Sequence, residues 1–247
     1  MATMICHASI DENGKISGGA AGDQTGTEVC VREWYNKPWN LLLRYNDAAT
    51  INKAITIAKK IANSNLVGYD QSDRNTLYRA LKKHNFNVDS YIASKEKTEA
   101  DCSSFMFAVW CCLIPNMRSN DNAPTTSTMR KTFVENGFTA YTDSAHVAGT
   151  ANLQPGDVLV STGHHTAMVV QTNSGSVAKS DTASSQVSYL GKVTASALNV
   201  RKGAGTNYGV NYTIYQNEVH TIVEEQNGWG RLKSGIGWVS LKYIKKV

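Results

Sequence analysis

The chain lacks the segments that carry proteins into or across a membrane. It has no apolar run of the roughly 18 residues that a transmembrane helix needs. Its opening residues, MATMICHASIDENGK, have neither the basic start nor the apolar stretch of a secretory signal. We therefore expect no membrane insertion, and a protein that is made in the cytoplasm without a signal peptide.

The cysteine pattern excludes a disulfide framework. The chain has five cysteines, an odd number, and the neighbours Cys111 and Cys112 cannot easily form a bridge. No CxxC or HExxH spacing occurs, so we expect no metal site. The glycine-rich start is not a phosphate loop, because no Gly-Lys-Ser/Thr follows it. With no cofactor expected, the sulfurs are left for packing or for nucleophilic catalysis.

Acidic residues are scarce near the C-terminus. From Ser188 onward, three acidic residues face eight basic ones, a difference that equals the net charge of +5. A basic terminal module on a neutral body fits docking to an anionic surface. A solvated face with an accidental excess explains the same count. Nucleic-acid binding is disfavoured, because no recognised reading motif accompanies the basic residues.

A small, polar segment divides the chain. Residues 172–186, TNSGSVAKSDTASSQ, have few apolar anchors and separate parts of different composition. We predict a first domain over 1–175, a hairpin end and linker over 176–190, and a second domain over 191–247.

The first domain shows helical patterns followed by strand patterns. Helices are predicted over 47–63 with Asp47 as cap, over 72–85 with Ser72 as cap and His84 at the end, over 101–114 and over 127–136. Strands are predicted over 138–142, 156–161 and 165–171. The order indicates an α+β fold, with helices packed on an antiparallel sheet. The glycine-broken short strands of the second domain indicate a small all-β barrel.

Cys102 has the best context for a nucleophile. It opens the helix DCSSFMFAVWCCLI, whose unpaired amides and dipole would lower the thiol pKa, and Asp101 can cap the first turn. Cys111 and Cys112 lie deep in the same apolar helix and are predicted to pack. Cys6 and Cys30 have no activating context.

A catalytic base for Cys102 must come from elsewhere in the chain. His164 and His165 stand side by side at the start of the strand HTAMVVQ, where alternation points them to opposite faces. Only one of them can serve, and periodicity alone does not choose. The sequence predicts no interaction partner for His7 or for His146.

Two of these motifs together resemble a known enzyme class. ADCSSF followed by PGDVLVSTGHHTAMVV is similar to the paired motifs of NlpC-type cell-wall cysteine peptidases and the related CHAP amidases. The resemblance implies a papain-like catalytic domain in which His165 takes the Cys102 proton and the thiolate attacks an amide carbonyl. His164 would then support the site or line its groove.

These families also orient the imidazole with a third polar residue, usually on the strand after the histidine. Folding the chain about Asn173-Ser174-Gly175 brings Asp181 alongside, so Asp181 is our choice. Asn173, Gln171 or a backbone carbonyl remain alternatives, and a plain linker aspartate is the competing interpretation.

Residues 7–40, HASIDENGKISGGAAGDQTGTEVCVREWYNKPWN, resemble the opening segment of phage and prophage lysins that carry this catalytic pair. The resemblance implies that Asp23 and Gln24, on a tight glycine loop, line the substrate groove; a surface loop with turn chemistry is the competing interpretation. For Trp34, Tyr35 and Trp39, packing is favoured over stacking on substrate.

The terminal module resembles bacterial SH3-type domains. VTASALNVRKGAGTNYGV and NGWGRLKSGIGWVSLKYI match their sequence pattern, with Ala204 in place of a common proline. Such modules bind peptidoglycan in wall lysins, which makes Tyr208, Trp229 and Trp238 candidate contacts. Burial in the barrel core is the alternative for both tryptophans.

Together these resemblances imply an endolysin that acts on the peptidoglycan of a Gram-positive cell wall after release from the cytoplasm. We expect an endopeptidase that cuts the stem peptide next to its D-isoglutamyl residue, with an N-acetylmuramoyl-L-alanine amidase as the alternative. A non-catalytic wall-binding protein and a cysteine protease acting on proteins are two further hypotheses.

Overall fold

The computed structural model describes residues 2–119, 121–173, 185–206, 208–226 and 228–247. The chain forms two compact units, Met1–Val177 and Ala178–Val247. Asp181 lies outside the described residues. Among the residues that are described, no helix is long and apolar enough to cross a membrane.

The first unit mixes helices and strands. In chain order its elements are β1 (Met4–Ala8), β2 (Val29–Glu33), β3 (Leu41–Arg44), α1 (Ala48–Ser64), β4 (Val67–Tyr69), α2 (Thr76–Lys83), α3 (Val88–Ser94), β5 (Thr98–Ala100), α4 (Cys102–Cys111), α5 (Met129–Glu135), β6 (Thr139–Tyr141), α6 (Ser144–Val147), β7 (Val158–Ser161) and β8 (His165–Gln171). A 3-10 turn over Pro115–Ser119 follows α4 and ends the helical segment, as the proline predicts.

Six of these strands form one antiparallel sheet in the order β2-β1-β8-β7-β3-β6. The prediction that the sheet follows the helices is therefore wrong for half of its strands, since β1, β2 and β3 precede α1. β1 lies between β2 and β8, one strand in from the edge of the sheet, with Ile5 opposite Val169 of β8. The short β4 and β5 pair in parallel beside this sheet.

Helix boundaries follow local capping, with one correction. Asp47 caps α1 as predicted, because its carboxylate accepts the Thr50 amide at 2.8 Å. Ser72 does not cap α2, which begins at Thr76 behind Asn75. The Ser72 amide instead donates to the Asp70 carboxylate at 2.5 Å, so this segment is a turn. His84 ends α2 as predicted.

The two faces of β8 serve different cores. Met168 and Val170 belong to the large core that contains α4, which is buried at every residue. Ala167 and Val169 belong to a smaller cluster that contains Trp39. Strand alternation therefore puts His165 on the Trp39 face and Thr166 on the α4 face.

The second unit is an all-β module. Its strands are β9 (Ser185–Val193), β10 (Ala197–Arg201), β11 (Val210–Tyr215), β12 (Val219–Gln226), β13 (Trp229–Leu232), β14 (Trp238–Ser240) and β15 (Ile244–Lys246), ordered β11-β10-β14-β13-β12-β9-β15. β9 begins inside the segment 176–190 that the sequence predicts as hairpin end and linker. The core holds aliphatic side chains such as Val200, Ile222 and Val239.

Candidate active site

Cys102 is the first residue of α4, at the position predicted for it. Asp101 caps the helix: its carboxylate accepts the Ser104 amide at 2.7 Å, and the Ser104 hydroxyl accepts the Asp101 amide at 2.9 Å. Arg74 fixes this cap, with Nε 2.6 Å from Asp101 Oδ2. The N-terminus of α4 is thus stabilised both by the capping box and by the ion pair of Arg74 with Asp101.

The Cys102 thiol is almost enclosed, with 4% of the residue exposed. The backbone amides of Thr166, on β8, and of Ser103 act on the sulfur and favour its thiolate form. Burial, followed by the Asp101 charge, raises the pKa of Cys102 to about 12, against the lowering by these amides and by Arg74. The expected net lowering by the helix N-terminus is therefore wrong, because desolvation of the thiolate is the larger effect.

His165 opens β8 and pairs with a second histidine. Its Nε2 lies 2.9 Å from Nδ1 of His7, and the two rings meet edge to face at 84°. Burial, followed by the His7 and Lys37 charges, lowers the pKa of His165 to about 3. Burial, followed by Arg32 and Lys37, lowers the pKa of His7 to about 4. Both rings are consequently neutral at pH 7.

Cys102 and His165 are linked through β8, against which α4 packs. The Thr166 amide, which lowers the pKa of the Cys102 thiol, belongs to the residue that follows His165 in the chain. Within residues 2–119 and 121–173, no hydrogen bond joins the Cys102 sulfur to the His165 ring, whose Nε2 is engaged by His7. The structure therefore pairs His7 with His165 and packs α4, which begins with Cys102, against the strand that His165 opens.

His7 is the residue that the sequence analysis missed. It lies on β1 and shares a face with Ile5, which belongs to the Trp39 cluster. Nothing near His7 in the sequence reveals this partner, because the two histidines are 158 residues apart. The one local signal is the strand-like alternation of side chains in the segment MICHA, which is only five residues long.

The aromatic residues of the opening segment surround this pair. Tyr35 lies 6.0 Å from His7 and Trp39 lies 6.1 Å from His165, measured between ring centroids. Trp39 is buried, while Trp34 and Tyr35 pack against its cluster. Trp34, Tyr35 and Trp39 therefore pack in the cluster as predicted. Tyr35 packs near His7, and Trp39 packs near His165.

The other predicted residues of this unit occupy loops. His164 is exposed in the turn before β8, where its amide donates to the Ser161 carbonyl at 2.9 Å. The Asp23 carboxylate accepts the amides of Thr25 and Gly26 at 3.0 and 2.6 Å. Gln24 Nε2 donates to the Gly22 carbonyl at 2.8 Å. The side chains of Asp23 and Gln24 thus stabilise their own loop; a groove role for them stays a prediction.

A polar pocket of about 350 Å³ opens beside the turn that leads to His165. It is lined by Asn40, Leu41, Thr126, Ser127, Arg130, Thr142 and Thr162. Arg130 is the one charged lining residue, and the others offer mainly hydroxyl and amide groups. Such a lining suits a polar ligand with a carboxylate.

In the second unit, Trp229 and Trp238 alternate with buried residues of their strands. Gly230 and Leu232 on β13 and Val239 on β14 point into the core, and both tryptophans are half-buried on the other side. The Tyr208 ring packs on Gly203, where an added Cβ would lie 2.6 Å from it. Neither tryptophan belongs to the buried core, which removes the core alternative for them.

Metal ligands do not cluster in the way that soft or borderline metals require. Among the described residues, no group of three His, Cys, Asp or Glu side chains is placed to hold a metal ion. The five cysteines are all free thiols. Burial raises the pKa of Cys111 and of Cys6 well above the ordinary range, which fits their predicted packing role.

Comparison with known families assigns both units. Residues 5–176 match the endolysin-like domain and residues 196–245 match the bacterial SH3 domain. The chain therefore belongs to the endolysin-like domain family and carries a C-terminal bacterial SH3 domain. This combination supports a phage cell-wall lytic enzyme with a wall-binding module. Neither the curated proteins nor the solved structures that were compared with the chain gave a significant match.

Proposed function

We propose that this endolysin-like protein is a papain-like, NlpC-type cysteine peptidase that cleaves an amide bond in the stem peptide of peptidoglycan. The observation that carries the proposal is the placement of the Cys102 sulfur at a buried helix entrance, against the strand that begins with His165. A thiol at a helix start and an imidazole on the strand packed against that helix are the two parts that acyl transfer by cysteine needs.

His7 supplies the orienting contact in this proposal, in the place first given to Asp181. With His165 Nε2 donating to His7 Nδ1, the His165 proton is on Nε2 and the Nδ1 lone pair is left for the thiol. In that tautomer His7 carries its proton on Nε2, an atom that is buried without a hydrogen-bond partner in the described part of the chain. When His165 gains a second proton, its Nε2–H bond to His7 becomes charge-assisted and strengthens.

The raised thiol pKa and the lowered imidazole pKa make the resting pair neutral rather than ionic. The Cys102 proton then moves to His165 as the sulfur attacks the amide carbon, and the Cys102 backbone amide helps to hold the oxyanion. His165 returns this proton to the leaving amine as the C–N bond breaks. Water, deprotonated by His165, cleaves the thioester and restores the thiol.

In this proposal the substrate extends into the pocket beside the turn that precedes β8. The stem peptide carries free carboxylates, and Arg130 with its hydroxyl neighbours offers a matched site for one of them. This supports cleavage next to the D-isoglutamyl residue. His164, exposed at the same turn, lies where it can contact the peptide.

The SH3 unit delivers the catalytic unit to the wall. Tyr208, Trp229 and Trp238 are the proposed contacts, and the basic excess of this unit suits the anionic polymers of a Gram-positive wall. We propose synthesis in the host cytoplasm and action at the wall after release.

Clearing of purified walls tests the enzyme. Cys102→Ala should abolish the fall in turbidity, while the matched Cys112→Ala, which replaces the half-buried cysteine directly after α4, should retain it. Clearing by Cys102→Ala at the wild-type rate would contradict a catalytic role and favour a different site.

Mass spectrometry of the released muropeptides tests the bond. New amino termini within the stem indicate an endopeptidase, whereas intact stems detached from glycan indicate the amidase alternative. Casein cleavage without action on walls would instead favour a protease acting on proteins.

A further inference from the structure

Two lysines lie directly opposite each other on neighbouring strands of the SH3 unit. Lys192 of β9 is the register partner of Lys245 of β15. Side chains at paired positions of antiparallel strands share a face, and their Cβ atoms lie about 5 Å apart. The sheet therefore places two ammonium groups side by side.

Both lysines point away from the core of the unit. Val193 is buried in that core, so strand alternation turns its neighbour Lys192 outward. In the same way Ile244 packs against the core, and Lys245, the next residue of β15, is exposed. The two charges therefore face solvent rather than the interior of the unit.

Exposed aliphatic side chains flank this pair. Val219 of β12, the second register partner of Lys192, is 50% exposed. Leu190, which precedes Lys192 by two residues on the same side of β9, is 49% exposed. We call the surface formed by Leu190, Lys192, Val219 and Lys245 the lysine face. It combines positive charge with aliphatic contact area.

The acidic residues of the SH3 unit are engaged elsewhere. The three that follow Ser188 contact a histidine, an arginine and a tyrosine, as Glu218–His220, Glu224–Arg231 and Glu225–Tyr189. Within residues 185–206, 208–226 and 228–247, neither Lys192 nor Lys245 takes part in an ion pair. No ion pair of the described residues therefore compensates the two like charges.

Protection of a sheet edge explains only one of these lysines. β15 ends the strand order of the sheet, and charged side chains on an edge strand hinder pairing with other chains. β9, however, pairs with β12 on one side and with β15 on the other, so Lys192 has no edge to protect. Like charges directly opposite each other destabilise a sheet. An anion bound between the two ammonium groups would offset this repulsion.

We propose that the lysine face binds the phosphates of an anionic phosphodiester polymer of the cell wall, of the teichoic acid type. The proposal rests on the proposed attachment of the SH3 unit to the wall and adds a second contact surface to it. Lysine binds phosphate as a point charge on a flexible stem, which suits a polymer with a phosphate in each repeat. The aliphatic neighbours disfavour a nucleic acid, because bases bind by stacking on aromatic rings.

The lysine face is remote from the tryptophan contacts proposed above. Trp229 lies opposite Gln226 at one end of β12, whereas Lys192 lies opposite Val219 at the other end. Seven residues of extended strand separate the two positions by about 20 Å. The unit can therefore contact peptidoglycan through the tryptophans and the polymer through the lysines at the same time.

Titration with the soluble polymer tests the lysine face. The protein is the full chain carrying Cys102→Ala, and the probe is poly(glycerol phosphate) teichoic acid, added in a calorimeter at low salt. Lys192→Gln and Lys245→Gln should each weaken binding about fivefold. The matched Lys202→Gln removes the same charge from an exposed position after β10 and should weaken binding less than about twofold.

Charge reversal separates binding from folding. Lys245→Glu places a carboxylate opposite Lys192, so it should raise Tm by about 1–4 °C while it weakens binding at least about tenfold. A fall in Tm would contradict the repulsion between the paired lysines, and retained binding would contradict their contact with phosphate.

Pelleting with two wall preparations tests the polymer in its natural setting. Cold hydrofluoric acid removes the phosphodiester polymers and leaves the carboxylates of the stem peptides, so the parent should bind stripped walls about tenfold less tightly than intact walls. Equal binding to both preparations would overturn the lysine face as a polymer site and leave wall attachment of the SH3 unit intact.

Two further results would also overturn the proposal. One is unchanged affinity of both glutamine variants for the soluble polymer. The other is tighter binding of single-stranded DNA or of phosphatidylglycerol vesicles than of the polymer at equal phosphate concentration, which would assign the lysine face to a nucleic acid or to a membrane. Because the parent lacks the thiol, none of these results depends on the proposed peptidase activity.

Discussion

The Nε2 atom of His165 lies 2.9 Å from Nδ1 of His7, which joins the first residue of β8 to the neighbouring strand β1. This contact fixes the imidazole from the side that faces away from α4. It leaves Nδ1 of His165 outside this contact, and it makes the environment of His165 dependent on a strand at the start of the chain.

Replacing His7 tests its role as a positioning residue. His7→Phe fills the space without an acceptor for His165, so we expect a fall in kcat of about 100-fold with a much smaller change in KM. His7→Asn places an acceptor oxygen at the position of Nδ1 and should recover part of the loss. The measurement is hydrolysis of isolated muropeptides, after thermal unfolding has shown that both variants are folded.

Equal activity of His7→Phe and wild type would contradict the orienting contact. Equal loss in His7→Phe and His7→Asn would point to a packing role for the ring, because only His7→Asn keeps the acceptor.

The histidine pair also predicts how stability depends on pH. The pKa values of about 4 for His7 and about 3 for His165 lie below the ordinary value of about 6.5 in an unfolded chain. Between these values the unfolded chain binds more protons, so the free energy of unfolding should fall as pH falls below about 6.5. The limit is about 1.4 kcal/mol per pH unit for each histidine.

Urea unfolding at pH 4.5, 5.5 and 7 measures this dependence. His7→Phe removes one titrating group and one charge acting on His165, so its curve should be shallower than that of wild type. Curves of equal slope would show that His7 titrates normally in the folded protein. The comparison isolates the pair, since every other titrating side chain is the same in both proteins.

Arg74 is expected to stabilise the helix entrance. It donates to Asp101, to the Ser103 hydroxyl at 2.8 Å and to the Ala123 and Pro124 carbonyls at 2.8 and 2.9 Å. Arg74→Met should cost about 2–4 kcal/mol, because it leaves the Asp101 charge and these acceptors partly buried without a donor. Lys82→Met, which breaks the exposed pair with Asp121, should cost less than about 0.5 kcal/mol. If urea unfolding showed similar losses of unfolding free energy in the two variants, the predicted effect of burial on the Arg74 ion pair would be wrong.

Local patterns were sufficient to predict the helix that begins with Cys102. Asp101 provides the cap of α4, and the apolar run that follows it ends before Pro115, which stops the helical segment. The segment HTAMVVQ coincides with β8. The position of Cys102 therefore followed from residues close to it in the sequence.

The contacts between distant segments could not be predicted in this way. β1 has five residues, and it is held in the sheet by pairing with β2 on one side and with β8 on the other. Its position in the sheet therefore depends on these two strands and cannot be recognised from its own sequence. His7 owes its environment to such pairing. The thiol pKa was mispredicted for the same reason, since burial of Cys102 depends on the packing of α4 against the sheet.

Binding to the wall should depend on the tryptophans of the SH3 unit. Trp238 lies opposite Arg201 of β10 and is half-buried outside the aliphatic core, so Trp238→Ala removes a contact surface without opening that core. In the Cys102→Ala background, we expect about tenfold weaker pelleting with purified Gram-positive walls. Tyr215→Ala, an exposed aromatic residue on β11 outside the proposed contact set, is the matched control and should bind as its parent does. If Trp238→Ala pellets normally while added salt still releases the protein, the basic residues rather than the aromatic ones provide the attachment, because only the charge interaction is screened.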